Sequence, residues 1–501
     1  MHAIGDRSTI RVHLYFRDEK SVVILSFNAE CARHSAFRHE KHVAMLIRFT
    51  IENHLSFGKP AEFSTQATRE LHHRARTFQT PIRGLRLLPI TAIYGPNASG
   101  KSNLFKALKL VRDLVINGTR PGESTGAQPF RLDRARMGQP SRFEIEFLVG
   151  DKAFAYRFVA TSQEVIEESL WELHVASKRL FFSRELGVAG STYKFGPASG
   201  IADDEKERQF LEFVGKGTRT NQLFLHEALD RGVKQLNPVL DWFGRTLVLI
   251  CPRSSSQSLE LNLHEHQEFK NFCNHAVQRI DAGIESLDTE FASLGSAALS
   301  EEIKDMLRKQ VTETENVFLR ASDGQRYNAV MHEGEIQVAK IVSYHRGSDG
   351  KKVRFEIPEE SEGTQRFIDL LPAFHDLGIS GSEKVIFVDE LDRSFHTRLT
   401  QTLIESYLAA WHDKSRTQLL FTTHDATPLD QDLFRRDEVA LVEKSDEGET
   451  ELQSLSDYRV RSDKRLMKDY LLGRYGAVPR TQTLRLRRLP VEQVATETAV
   501  D

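Results

Sequence analysis

The 501-residue chain has only three cysteines, Cys31, Cys251 and Cys273, and their spacing fits no metal site. Structural disulfides are therefore not expected, and a reducing, cytoplasmic setting is. No apolar run approaches the ~20 residues that cross a bilayer, so no membrane domain is expected in this chain. Charge of one sign is also lacking. The chain has 68 Lys and Arg against 71 Asp and Glu, a net charge of −3. Binding of nucleic acid through global charge is thus not indicated, although a local basic patch is compatible with these numbers. Residues 1–44 lack a secretory pattern: charge interrupts apolar pieces such as VVILSF, and no cleavage site follows. Heptad runs of the length needed for coiled-coil arms are missing too, which rules out tethering by long arms.

What is present is a core-forming composition, 40% hydrophobic, sufficient for two or three domains. Its most informative segment is GPNASGKS: Gly95, Pro96, Asn97, Ala98, Ser99, Gly100, Lys101 and Ser102, followed by Asn103. This fits the phosphate-binding pattern G-x-x-x-x-G-K-[ST]. LLPITAIY before it reads as a buried strand, and NLFKALKLVRDLVI after it as a helix with apolar residues at helical spacing. Glycines let the backbone fold tightly, so that its N–H groups surround phosphate oxygens, and the helix N-terminus adds positive charge. Lys101 is expected on the β- and γ-phosphates, and Ser102 on Mg²⁺.

Far downstream, KVIFVDELDRSFH gives a short apolar strand, Val385 to Val388, ending in Asp389 and Glu390. Carboxylates at the carboxyl end of such a strand lie where α/β folds bind ligands. Asp389 is expected to hold Mg²⁺ and Glu390 to orient and deprotonate the attacking water. The next strand, within TQLLFTTHDATPLD, ends at Thr423 and His424, which places His424 near the γ-phosphate. Between these landmarks lies SEGTQRFIDLLPAFHDL. Ser361 is a plausible cap for a helix with an apolar face of Phe367, Leu370, Leu371, Phe374 and Leu377. The start of that helix, with Ser361, Gly363 and Thr364, could bind an anion, or could be an ordinary capped helix.

The order phosphate loop, S-x-G-x-Q segment, apolar strand with Asp-Glu, strand with Thr-His resembles the ATP-binding-cassette ATPases, most closely the soluble branch that includes the SMC and RecF proteins. The resemblance implies an α/β P-loop NTPase fold, a mixed sheet flanked by helices, with ATP and Mg²⁺ as cofactors. It also implies a homodimer or higher homo-oligomer with composite ATP sites. Ser361 and Gly363 would act in trans on nucleotide held by the partner's phosphate loop, and residues 392–396 would line the seam. Gln128 is the nearest candidate for that family's glutamine contact to Mg²⁺ and water, although it stands beside Pro129 in a loop. MLIRFTIENHLSFG, QPFRLD, RTNQLFLHEAL, DELDRSFH and YLLGRYGAVP narrow the resemblance to the AbiLi/RloA group of bacterial abortive-infection ATPases. That group implies an ATP-driven switch in anti-phage defence, acting with a separate protein effector such as a nuclease. The alternatives are a RecF-type ATPase that clamps duplex DNA, with DNA as a candidate partner, and a scaffold that binds ATP without turnover. The pair Asp430 and Asp432 is a weak match to TOPRIM nuclease chemistry, and intrinsic nuclease activity is not expected.

The expected organisation is as follows. Residues 1–44 form an extension, read as a disordered arm or a mis-called start ahead of Met45, with an extra strand or a partner-binding arm as the alternative. Residues 45–200 form the first half of the head with an antiparallel sheet, including a hairpin turning at Gly150 and Asp151. Residues 201–345 form a mainly helical insertion lobe, a surface for a trigger or partner or else a brace. Residues 346–455 complete the head. Residues 456–501 carry a helix and a basic tail with Arg480, Arg485, Arg487 and Arg488, solvated or in contact with an acidic partner.

Overall fold

The computed structural model describes residues 11–15, 22–28, 43–197, 205–252, 259–280, 282–313, 315–320, 325–412, 414–458 and 466–478. The four tail arginines and Cys31 lie outside the described residues.

Continuous apolar runs become the centre of the molecule. Ile90–Tyr94, Val385–Val388 and Gln418–Thr423 are buried along their whole length, as strands covered on both faces must be. They belong to a six-stranded sheet in the order Leu247–Ile250, Val385–Val388, Gln418–Thr423, Ile90–Tyr94, Val439–Lys444, Thr450–Ser454. The first five strands run parallel and the last is antiparallel. Helices flank this sheet, giving the mixed α/β P-loop architecture expected from the motifs.

Helix Lys101–Ile116 lies between the central sheet and a seven-stranded antiparallel sheet. Its Leu104, Leu108 and Val111 share one core with Ile93, Phe387 and Phe49. The antiparallel sheet contains the hairpin Ser141–Val149 and Lys152–Ala160, turning at Gly150 with φ 64°. Gln418 staples the two sheets. Its Oε1 accepts from the Leu46 N–H at 2.7 Å, and its Nε2 donates to Leu46 O at 3.2 Å and Leu88 O at 3.1 Å. A buried amide is stable here because its donors and acceptor are used.

The stretch 201–345 departs from a mainly helical lobe. Leu247–Ile250 is an edge strand of the central sheet, and Ile284–Ser293 is a strand within the stretch expected to be mainly helical. Pairing with Glu335–Arg346 satisfies its backbone, so tertiary context overrides the local pattern. Glu315–Arg320 and Arg326–His332 join the same antiparallel sheet. The backbone of Arg11–Tyr15 and Val22–Asn28 extends that sheet beside Glu315–Arg320, which corresponds to the extra-strand alternative for the N-terminal extension.

Helix Glu362–Gly378, capped by Ser361 Oγ accepting from the Thr364 N–H, joins head to lobe. Leu370, Ala373 and Leu377 pack with the central sheet. Phe367, Ile368 and Leu371 pack with Leu259, Phe269, Cys273 and Leu287 of the lobe.

Candidate nucleotide-binding site

Three adjacent parallel strands deliver the candidate residues to one end of the central sheet. After Ile90–Tyr94 comes the glycine loop, in which Ala98 takes φ 63° and Gly100 φ 118°. Gly100 is needed twice over. Its φ disfavours an L side chain, and a Cβ would fall 2.2 Å from Thr450 Oγ1. The loop then turns into helix Lys101–Ile116, whose N-terminus has neither a side-chain cap nor an acidic residue in its first turn. Uncapped N–H groups beside a glycine loop suit an anion.

Lys101 is buried, and its Nζ donates to Gly95 O at 2.6 Å and Pro96 O at 3.0 Å. Burial lowers its pKa to about 8, against the opposing pull of Asp392, Asp389 and Glu390. Nζ also stands 3.3 Å from His424 Nδ1. An ammonium can only donate, so Nδ1 is the acceptor and the His424 proton belongs on Nε2. Burial, then the Lys101 charge, hold the His424 pKa below its ordinary value, which favours the neutral ring.

Ser102 Oγ donates to Asp389 Oδ1 at 3.2 Å, and Thr422 Oγ1 donates to the same oxygen at 2.7 Å. The Glu390 N–H in turn donates to Thr422 Oγ1 at 2.7 Å. Glu390 has φ 53°, a conformation that costs a non-glycine residue energy and that surrounding bonds must hold. Its carboxylate is partly exposed, 3.5 Å from Arg393 Nη1. Asp392 Oδ2 accepts from the His424 N–H at 3.1 Å, tying the two strand ends together.

The structure thus brings Lys101, Ser102, Asp389, Glu390 and His424 into one cluster. Gly363 approaches the loop that follows Glu390: a Cβ there would lie 2.6 Å from Ser394 O. Gln128 lines a cavity with Ser56 and Asn103, and the described lining includes neither Ser102 nor Asp389. Sequence reasoning missed Thr450 and Ser56. Thr450 Oγ1 bonds Ser99 O at 2.8 Å and Ser56 Oγ at 2.7 Å, and Asn103 Nδ2 donates to Ser56 Oγ at 2.8 Å. These contacts brace the glycine loop from behind.

Among the described residues no three His, Cys, Asp or Glu side chains gather as a metal cage. One hydroxyl and one carboxylate, Ser102 and Asp389, form instead a hard oxygen donor pair. That set fits Mg²⁺, which keeps water and takes phosphate oxygens alongside one or two protein ligands.

A family model described as "AAA domain, putative AbiEii toxin, Type IV TA system" matches residues 90–430, well over half of the chain. No curated protein matches it. Among the described residues no helix is long and apolar enough to cross a membrane.

Proposed function

The chain belongs to this AAA-domain, P-loop ATPase family, and from that premise we propose that it hydrolyses ATP as a dimeric, nucleotide-driven switch in bacterial anti-phage defence. The observation that carries the reading is the convergence of Lys101, Ser102, Asp389, Glu390 and His424 at the ends of three adjacent parallel strands. The glycine loop and Lys101 hold the β- and γ-phosphates. Ser102 and Asp389 would hold Mg²⁺, which when bound would neutralise charge on the phosphates. Glu390 orients a water and takes its proton as the water attacks the γ-phosphorus and ADP leaves. His424 Nε2–H donates to the γ-phosphate.

Ser361 and Gly363 act on the nucleotide of a second copy, so that ATP closes the pair and hydrolysis reopens it. Closure controls a separate protein effector. The sequence resemblance to the AbiLi/RloA group supports this reading, as does the toxin–antitoxin description of the matched family.

The test is Glu390→Gln. We expect ATP binding within threefold of wild type and turnover reduced by a factor on the order of 10² or more, the usual scale for a lost general base. Unchanged turnover would remove Glu390 from the mechanism.

A further inference from the structure

The stretch 69–86 is strongly basic in a chain whose net charge is −3: five arginines stand against one carboxylate, Glu70. Ion pairs use part of that charge. Arg436 pairs with Glu70, and Arg76 pairs with the buried Glu438. Arg69, Arg74 and Arg83 are exposed and have no ion pair among the described residues. Leu71, between the first two in sequence, is 74% exposed. We infer that this surface docks an acidic segment of another protein, with an apolar side chain of that segment seated on Leu71 and its carboxylates on the arginines. The inference stands apart from the nucleotide reading.

The local fold gathers these residues. Phe78–Gln79 pairs with Arg86–Leu87, with a turn at Gly84, φ 84°, beside Arg83. The Ala67 N–H donates to Arg86 O at 2.8 Å, and Arg86 Nη2 donates to Thr68 O at 3.1 Å, one residue before Arg69. Arg74 O accepts from Thr77 Oγ1 at 3.2 Å, at the foot of the same hairpin.

Rigidity is the second argument. Arg435 is wholly buried, and its Nη1 donates to His72 O at 3.0 Å. His72 Nε2 lies 2.7 Å from Gln431 O, and His73 Nε2 lies 3.0 Å from Asp432 O. A carbonyl only accepts, so both rings donate. Glu70 Oε1 accepts from the Leu71 N–H at 3.0 Å. An exposed leucine on a segment held this firmly keeps its place, and a partner binds it without the entropy cost of ordering a loop.

The pattern of charge decides between partners. Asp430 and Asp432 are exposed on the loop that the histidines grip. A nucleic-acid backbone, evenly negative along its length, would face these carboxylates and gain little from Leu71. A peptide sets carboxylates opposite the arginines alone and an apolar group opposite the leucine.

The experiment measures the fluorescence anisotropy of labelled probes with the full chain at low salt. The probes are a glutamate decapeptide with two central leucines, the same peptide with serines there, a DNA duplex and an RNA hairpin. The proteins are wild type, Arg69→Glu/Arg74→Glu, Leu71→Ser, and a control, Arg179→Glu/Lys234→Glu, which makes the same charge change on exposed residues of other elements. All replaced side chains are exposed, so the core is untouched. The leucine peptide is expected to bind wild type and control within twofold of each other. It loses at least tenfold to the arginine variant and at least threefold to Leu71→Ser. The serine peptide binds wild type at least threefold more weakly, and Leu71→Ser no longer distinguishes the two peptides. Equal peptide affinity in wild type and both ribbon variants would overturn the proposal, as would equal weakening in the control or a wild type that binds no peptide. DNA or RNA bound tighter than the peptide, and lost in the arginine variant, would overturn it too and give the surface to nucleic acid. ATP turnover enters none of these readouts, so failure of the ATPase reading leaves the result standing.

Discussion

At Gly363 two effects oppose each other. Alanine gains up to ~1 kcal/mol over glycine in a helix. Its Cβ, however, would stand 2.6 Å from the Ser394 carbonyl oxygen, a backbone atom that cannot swing aside. Ser394 belongs to the loop that begins at Glu390, and both residues already hold positive φ, 61° and 53°. The loop must shift to admit the methyl, and Glu390 shifts with it. Gly363→Ala is therefore expected to fold with a melting temperature within a few degrees of wild type and to lose ATP turnover at least tenfold. Turnover near the wild-type rate would show that the loop yields without moving the carboxylate. Such contacts mark the boundary of what the sequence discloses about single residues. Lys101, Ser102, Asp389 and Glu390 were legible because their chemistry is written in short local patterns. Ser56 and Thr450 bond each other across 394 residues, and a lone serine and threonine carry no pattern until the chain has folded. Gln128 was read as the candidate for the metal-contacting glutamine, but its place in the wall of the cavity that Asn103 also lines depends on a loop whose course no periodicity encodes.

Helix Glu362–Gly378 is held from the lobe side by more than apolar packing. Asp369 on this helix pairs with Arg326 of the lobe sheet, and Arg326 also meets Glu260 at 3.2 Å. Glu260 and Arg326 are buried and the Asp369 side chain is only 8% exposed, and burial raises the pKa of both carboxyl groups despite the arginine. Arg326→Met would leave the buried Glu260 without its arginine and Asp369 with only the charges of Arg320 and Arg366 to face it, a loss on the order of 3–5 kcal/mol at pH 7. The pH dependence follows from the sign of the shift. Carboxyl groups whose folded pKa lies above the unfolded value bind protons first in the folded state, so stability recovers as pH falls toward the unfolded carboxylate range. Chemical denaturation of Arg326→Met should thus show a deficit that narrows between pH 7 and pH 5. A deficit independent of pH would mean that lost packing, not unpaired charge, is responsible. At this scale the capped helix at Ser361 and the buried parallel strands were readable, since capping chemistry and continuous apolar runs are local signals. Ile284–Ser293 was not. It lies in a stretch expected to be mainly helical, and pairing with Glu335–Arg346 makes it a strand.

For the molecule as a whole the question is whether one chain suffices for turnover. Lys101 and Ser361 stand on different parts of the head, one on the glycine loop and one at the start of the helix that bridges to the lobe. If Ser361 serves a partner's nucleotide, two defects on different chains can complement each other. Consider Lys101→Ala on one chain and Ser361→Arg on the other. Each homodimer has both composite sites spoiled. In the mixed dimer one site carries both defects, but the other joins an intact phosphate loop to an intact Ser361. A one-to-one mixture should then recover up to about a quarter of wild-type turnover, because half of the dimers are mixed and each has one whole site of two. If Ser361 serves its own chain's nucleotide, every site in the mixture keeps a defect and turnover stays at the level of the separate variants. If two chains must pair for turnover, turnover per chain also rises with protein concentration until the dimer saturates. The complementation result does not depend on that saturation, because it reports which chain supplies the serine and not how tightly the chains associate.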